Sequence, residues 1–222
     1  RDWMARPPLP REERPSSLPA AAGRVVGIAS STGGPKALSV ILSSLPADLR
    51  APVLVAQHMS EGFTDGMVQW LNMNSRLAVH MAVHGEAIAP GRVYVSPSEL
   101  NMSVSPSGEI VLSERRKHDI YRPCCDVLLE SVAEVYGSKA IGVILTGMGN
   151  DGVSGIARIR EAGGVTIAQD ESSSVIFGMA KAAIERGGVT TVLPLDKIAP
   201  ELVKRLWFDG PAVPGPDGRC RQ

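Results

Sequence analysis

Three side chains of the types used in acyl transfer follow apolar runs at widely separated places in the sequence. Ser31 closes the run Arg24–Ser30, His58 ends the run Pro52–His58, and Asp151 lies just beyond Ala140–Leu145. A serine hydroxyl becomes a useful nucleophile only when a base takes its proton. An imidazole can be that base, and a carboxylate can hold the imidazole in the right tautomer. Each residue also has a plainer reading. Ser31 can cap the helix that follows it, His58 can be a hydrogen-bonded histidine at a strand end, and Asp151 can cap a helix starting near Gly152. The chain order Ser–His–Asp is not that of the α/β-hydrolases or of the two common protease classes, and no Gly-x-Ser-x-Gly elbow surrounds Ser31.

Other chemistries have less behind them. Ser31-Thr-Gly-Gly34 could bring backbone N–H groups to an anion at a helix start. It lacks the Gly-x-Gly-x-x-Gly pattern, and no lysine followed by serine or threonine completes a phosphate loop. His80 and His84 are four apart in a region that reads as strand and turn, so with His118 they are taken as ordinary polar residues. Cys124 and Cys125 fall on a helical apolar pattern and read as packed small side chains, with no histidine placed to activate Cys124. No metal or organic cofactor is expected.

For the three loops to meet, a common scaffold must point them the same way. Arg24–Ser30 and Pro52–His58 are nearly continuous apolar runs, as expected of parallel strands buried on both faces. Between them Ala37, Leu38, Ile41, Leu42 and Leu45 recur at helical spacing behind Pro35, and Phe63–Met73 predicts a second helix. Leu77–Val83 and Gly91–Ser96 predict shorter strands, and Ser105-Pro-Ser-Gly108 supplies the turn of a hairpin joining Asn101–Ser105 to Glu109–Ser113. Pro123 opens a helix. The strand–helix rhythm then returns, with strands at Ala140–Leu145, Gly164–Ala168 and Thr191–Leu193 and a last helix over Lys197–Trp207. Repeated βα steps predict an α/β fold: a doubly wound, mostly parallel sheet with helices on both faces and an antiparallel hairpin at one edge. In such sheets ligands bind beyond the carboxyl ends of the strands, where Ser31, His58 and Asp151 all fall.

Composition narrows the class. Among 222 residues, 23 lysine and arginine side chains balance 23 aspartates and glutamates, giving no support to a nucleic-acid or anionic-membrane footprint. No run approaches the roughly 20 apolar residues of a membrane span, and no signal peptide is visible. Three cysteines, two of them adjacent, make a poor disulfide framework, which fits a reducing cytoplasm. Residues 1–23 are Pro-rich and read as a linker or disordered N-terminus, 24–208 as the single catalytic domain, and 209–222 as a flexible tail.

The loops carry more than spacing. Ile28-Ala-Ser-Ser-Thr-Gly-Gly-Pro35, Gln57-His-Met59 with Gly62-Phe-Thr64, and Val143-Ile-Leu-Thr-Gly-Met-Gly-Asn-Asp-Gly152 resemble the chemotaxis protein-glutamate methylesterase family, as do Ala89-Pro-Gly91, Arg122-Pro123 with Asp126-Val-Leu128, Ala168-Gln-Asp-Glu171 and Phe177-Gly-Met179. The resemblance runs in order through nearly all of Arg24–Leu206. It implies hydrolysis of glutamate methyl esters on the cytoplasmic helices of chemoreceptors, with release of methanol, and related deamidation of receptor glutamines. By motif position it makes Ser31 the nucleophile, His58 the base and Asp151 its orienting carboxylate, with Thr32, Gly33 and Met148 around the oxyanion or substrate pocket. The family commonly carries a receiver domain ahead of its linker, so a receiver before this chain is expected. The partners are then chemoreceptor helices and that receiver, with neither nucleic acid nor direct membrane insertion.

Arg115, Arg116 and Lys117 could face an acidic receptor segment, although a charge run is more often simply solvated. Ala29 and Ser30 stand where the family has glycine and alanine, Asn101 where it has histidine, Ser98 where it has glycine, and Cys124-Cys125 where it has serine and a hydrophobic residue. Those departures leave two alternatives open: a non-catalytic receptor-binding module, and a serine acyl hydrolase of another substrate.

Overall fold

A computed structural model describes residues 23–114 and 120–207. The expected linker and tail, Cys220, His118 and the basic run Arg115–Lys117 lie outside the described residues. Strands β1 (Val25–Ser30), β2 (Val53–Gln57), β3 (Ala78–Met81), β4 (Arg92–Val95), β7 (Ala140–Ile144), β8 (Val165–Gln169) and β9 (Thr191–Leu193) form one sheet, with β5 (Asn101–Val104) and β6 (Ile110–Ser113) apart from it. Every pairing in the main sheet is parallel, and its order is β3-β4-β2-β1-β7-β8-β9. The chain steps outward from β1 through β2, then returns to the other side of β1 for β7. The order therefore reverses between β1 and β7, and the crevice beyond their carboxyl ends is where such sheets bind ligands.

Helices α1 (Gly34–Ser44), α2 (Thr64–Met73) and α6 (Leu195–Trp207) cover one face; α3 (Cys125–Tyr136), α4 (Val153–Glu161) and α5 (Met179–Glu185) cover the other. The period of two within β1 explains how one strand serves both. Val26 and Ile28 join the first apolar cluster, whereas Val25 and Ala29 join the second. All six β1 residues are buried, as are all five of β2 and β7, which is why these strands read as unbroken apolar runs.

The hairpin is placed differently from expectation. Among the described residues β5 and β6 form their own antiparallel sheet, with Ile110 also bonded to the backbone of Gly85 and Glu86, and Met102, Val104 and Ile110 pack into the cluster that contains α3. Their apolar side chains are covered by a helix, so the hairpin has no need of the sheet edge for burial. It also reaches the site. Asn101 Oδ1 accepts a hydrogen bond of 2.9 Å from the Cys124 amide, just before α3 begins.

Candidate active site

Three loops converge at the crevice. The Ser31 amide donates to Thr146 O at 3.0 Å, joining the loop after β1 to the loop after β7. The His58 amide donates to Ser30 O at 2.9 Å, which sets the end of β2 beside the same turn. Gln57, buried at 3% exposure, draws them together further: its Nε2 donates to Ser31 O at 2.9 Å and to His58 O at 2.8 Å. Ser30 is fully buried and donates its hydroxyl to Gln57 Oε1 at 2.7 Å. The extra hydroxyl at position 30 thus completes the Gln57 amide, and the neighbouring Ser31 is the one left partly exposed.

Asp151 lies at the centre of the polar network. Its carboxylate accepts hydrogen bonds from His58 Nε2 at 2.7 Å, the Cys125 amide at 2.6 Å, the Asp126 amide at 3.0 Å and Cys124 Sγ at 3.3 Å. The two amides belong to the first turn of α3, whose N–H groups have no partner inside the helix and whose dipole favours an anion. Asp151 is therefore a cap, but of α3 rather than of the helix following it. Helix α4 has Gly152 at its N-cap and no side-chain cap of its own. Asp126 supplies the reciprocal contact, its Oδ1 accepting from the Gly155 amide in the first turn of α4 at 2.8 Å.

The two carboxylates titrate in opposite directions. Burial resists ionisation of Asp151, but the His58 hydrogen bond and the two amides outweigh it and hold the carboxyl below its ordinary value. Burial pushes Asp126 up to about 6, with the Asp151 charge adding to the shift and the Gly155 amide opposing it. Folded protein then keeps a proton on Asp126 that unfolded chain has lost between about pH 4 and 6, so this group's contribution to stability falls as pH rises through that window. Urea unfolding of wild type and Asp126→Asn should show a stability difference that changes by roughly 1–3 kcal/mol between pH 4 and 6.5, with wild type losing relative to the variant as pH rises. A constant difference would refute the assignment. Asp151 acts in a separate window, its contribution being lost only as pH falls below about 4.

His58 is 11% exposed at its side chain, and Tyr121 stacks on its ring at 4.8 Å between centroids with 8° between planes. Nε2 gives its proton to Asp151, so Nδ1 is the nitrogen with the free lone pair. In the serine-protease template the serine uses Nε2 and the aspartate Nδ1; here the ring is turned the other way. Nδ1 lies on the backbone side of the ring, and the His58 amide is bonded one residue from Ser31. Among the described residues Ser31 Oγ makes no hydrogen bond. Nor does its hydroxyl cap α1, whose N-cap is Gly33 with no side-chain hydrogen bond.

Around Ser31, the amides of Thr32, Gly33 and Met148 make no hydrogen bond among the described residues, so three N–H donors are available there. Gly33 has φ 83°, a left-handed turn that a side chain would strain. Met148 is 71% exposed, so it is not held by packing of its side chain. Two departures noted in the sequence are accommodated: the buried Ala29 packs against Gly152, and the buried Ser98 donates to Glu99 Oε1 at 2.7 Å.

Sequence reasoning missed Gln57, Tyr121, Cys125 and Asp126. Cys125 Sγ lies 3.3 Å from His58 Nε2, and Cys124 also meets the site, so the pair does more than fill space. The only signals available were two adjacent thiols and an acidic residue in the first turn of a predicted helix. His80 bonds Glu86 Oε1 at 2.9 Å and His84 Nδ1 accepts from the Leu112 amide at 3.2 Å, in keeping with ordinary polar roles.

Residues 26–202 match the family model described as CheB methylesterase. The chain is 53% identical over 182 residues to protein-glutamate methylesterase/protein-glutamine glutaminase 3 of Paramagnetospirillum magneticum, covering 82% of this chain and 51% of that protein. It is 45% identical over 185 residues to protein-glutamate methylesterase FrzG of Myxococcus xanthus, covering 83% and 55%. The chain thus spans about half the length of the curated relatives it matches. The crystal structure of the Thermotoga maritima CheB methylesterase catalytic domain superposes with a TM-score of 0.79 at 41% identity, covering 82% of this chain and 98% of that one.

Proposed function

The chain belongs to the CheB methylesterase family, and from that premise we propose that it hydrolyses glutamate methyl esters on the cytoplasmic helices of chemoreceptors, releasing methanol. The observation that carries the reading is the 2.7 Å bond between His58 Nε2 and Asp151, built at the sheet's switch point beside the Ser31 turn. That arrangement favours catalysis over a binding module, because a module needs neither an oriented imidazole nor free amides beside a serine.

In this mechanism Ser31 Oγ attacks the ester carbonyl and its proton passes to His58 Nδ1. Asp151 stabilises the imidazolium through Nε2–H. Negative charge on the tetrahedral oxygen is met by the amides of Thr32, Gly33 and Met148, each such donor being worth about 3–4 kcal/mol in comparable sites. Collapse breaks the ester C–O bond, Nδ1–H protonates the leaving methoxide, and methanol departs. Water then attacks the acyl-serine with its proton going to Nδ1. The second collapse returns that proton to Ser31 and frees the glutamate acid, which ionises by losing water's other proton to solvent. The same route on a glutamine releases ammonia.

The test is methanol release from a methylated receptor fragment, with ammonia release from the glutamine form as the second channel. Activity on small esters with none on the receptor fragment would favour a different acyl hydrolase, and no turnover of any ester by folded protein would favour the binding module. The site is proposed to work in the cytoplasm, where receptor helices present these side chains. If a receiver domain precedes this chain and covers the cleft, phosphorylation should raise methanol release, and equal release before and after would count against that regulation.

Gly147 gives a further check on geometry. A Cβ there would lie 2.6 Å from Ser31 Cβ and would collide with Met179. Gly147→Ala should displace the serine and lower kcat/KM by about 10²-fold, the scale of an ångström misplacement. An unchanged kcat/KM in a folded variant would show that the Ser31 position tolerates the shift.

A further inference from the structure

We propose that His58, Cys125 and Asp151 form a binding site for a thiophilic divalent cation, zinc being the natural choice, and that its occupancy switches the enzyme off. The inhibitory part rests on the methylesterase reading above; the binding part does not. One donor atom from each residue lies within 4.8 Å of the other two, the separations including 2.7 Å from His58 Nε2 to Asp151 Oδ2 and 3.3 Å from Nε2 to Cys125 Sγ. Tetrahedral zinc with bonds of about 2.1 Å to nitrogen and oxygen and about 2.3 Å to sulfur spaces its ligands roughly 3.4–3.6 Å apart. To reach that spacing the His58–Asp151 pair must open by about 0.7–0.9 Å and the His58–Cys125 pair by a few tenths of an ångström, while the remaining separation, up to 4.8 Å, must close by about 1 Å. Imidazole, thiolate and carboxylate are together a zinc-selecting donor set. Cys124 Sγ, 3.3 Å from Asp151 Oδ1, is not one of the clustered donors, which leaves the fourth position to a water.

The route to Asp151 is open: a cavity of about 210 Å³ is lined by Tyr121, Cys124, Asp126, Asn150 and Asp151, with Arg186 also on its wall, although neither His58 nor Cys125 lines it. Two carboxylates against one guanidinium leave that route favourable to a cation. Cys124 is partly exposed, whereas Cys125 is fully buried, so the outer thiol can meet the ion first and pass it inward.

Coordination accounts for the loss of function. Zinc binds through the Nε2 lone pair, so the ring proton moves to Nδ1. That is the nitrogen required to accept the Ser31 proton. Each thiol that becomes a ligand forms a Zn–S bond and gives its proton to solvent. Asp151 keeps a cationic partner, but the imidazole can no longer act as a base.

The experiment uses the full chain carrying Cys220→Ser, which removes the tail thiol, and cadmium as a spectroscopic probe. A cadmium–thiolate charge-transfer band should saturate near one equivalent, and zinc should displace it. Cys125→Ser and Cys125→Val, each checked for native circular dichroism, should weaken cadmium binding by about 10²-fold or more. Methanol release by the Cys220→Ser chain should fall with the same titration and return on chelation. Absence of the band at stoichiometric cadmium, or undiminished binding in both folded Cys125 variants, overturns the site. A saturated band with unchanged methanol release overturns the inhibitory role. A metal-free protein with no esterase activity that still shows the band sinks the methylesterase reading and leaves the site standing.

Discussion

Ser31→Ala should lower methanol release from a methylated receptor fragment by about 10⁵–10⁶-fold, while Ser30→Ala leaves it within about tenfold. Motif position favours Ser31, which directly precedes Thr32-Gly33-Gly34, and the environments of the two serines support the same choice. Ser30 is fully buried at the end of β1 with its hydroxyl committed to Gln57, whereas Ser31 is partly exposed beside three amides that bond nothing among the described residues. Ser30→Ala removes one buried hydrogen bond and leaves Gln57 Oε1 without its donor, a stability cost of about 1–3 kcal/mol. Because Gln57 Nε2 still holds the Ser31 and His58 carbonyls, the effect on turnover is indirect. Ser31→Ala has no such cost, because its hydroxyl bonds nothing among the described residues and caps no helix. A folded Ser31→Ala protein retaining near-normal methanol release would remove the nucleophile, whichever way Ser30→Ala behaves.

The scaffold was more legible than the site. β1, β2 and β7 could be read because a parallel strand covered on both faces leaves a continuous apolar run, and observed strand ends fall within a residue or two of that run. The hairpin was read as a pair of strands but put at the sheet edge. Its pattern shows one apolar face needing cover without saying whether a strand or a helix provides it, and α3 does. The convergence of the Ser31, His58 and Asp151 loops was legible because the switch-point rule makes the ends of adjacent parallel strands special, whereas their roles rest on the family resemblance. Gln57 was hidden inside an apolar run, where a buried amide is legible only once its two carbonyl partners are known. Cys125 and Asp126 were hidden for another reason. Their amides matter through where the N-terminus of α3 points, which depends on helix packing rather than on local pattern.

The second large effect is expected at Asp151, and it should appear in both activity and stability. The two carboxylate oxygens accept from four donors, His58 Nε2 and the Cys125 amide on Oδ2, Asp126 amide and Cys124 Sγ on Oδ1. Asparagine keeps the shape but replaces one acceptor by a donor. If its NH₂ faces His58, it meets the Cys125 N–H and forces Nε2 to accept, so the ring proton moves to Nδ1 and the base is lost. If the NH₂ turns to the other side, it faces the Asp126 N–H, and α3 loses part of its cap. Either way one buried N–H is left opposed, at a cost of about 1–3 kcal/mol, and the charge that favoured the helix start is gone. With the wrong tautomer favoured, kcat should fall by about 10⁴-fold, as it does when the equivalent carboxylate of a protease triad is neutralised. Urea unfolding and single-turnover methanol release on the same Asp151→Asn preparation separate the two losses. A folded variant within tenfold of wild-type kcat would mean that His58 takes its orientation from Tyr121 and Gln57 alone, and that the 2.7 Å bond serves the fold rather than the chemistry.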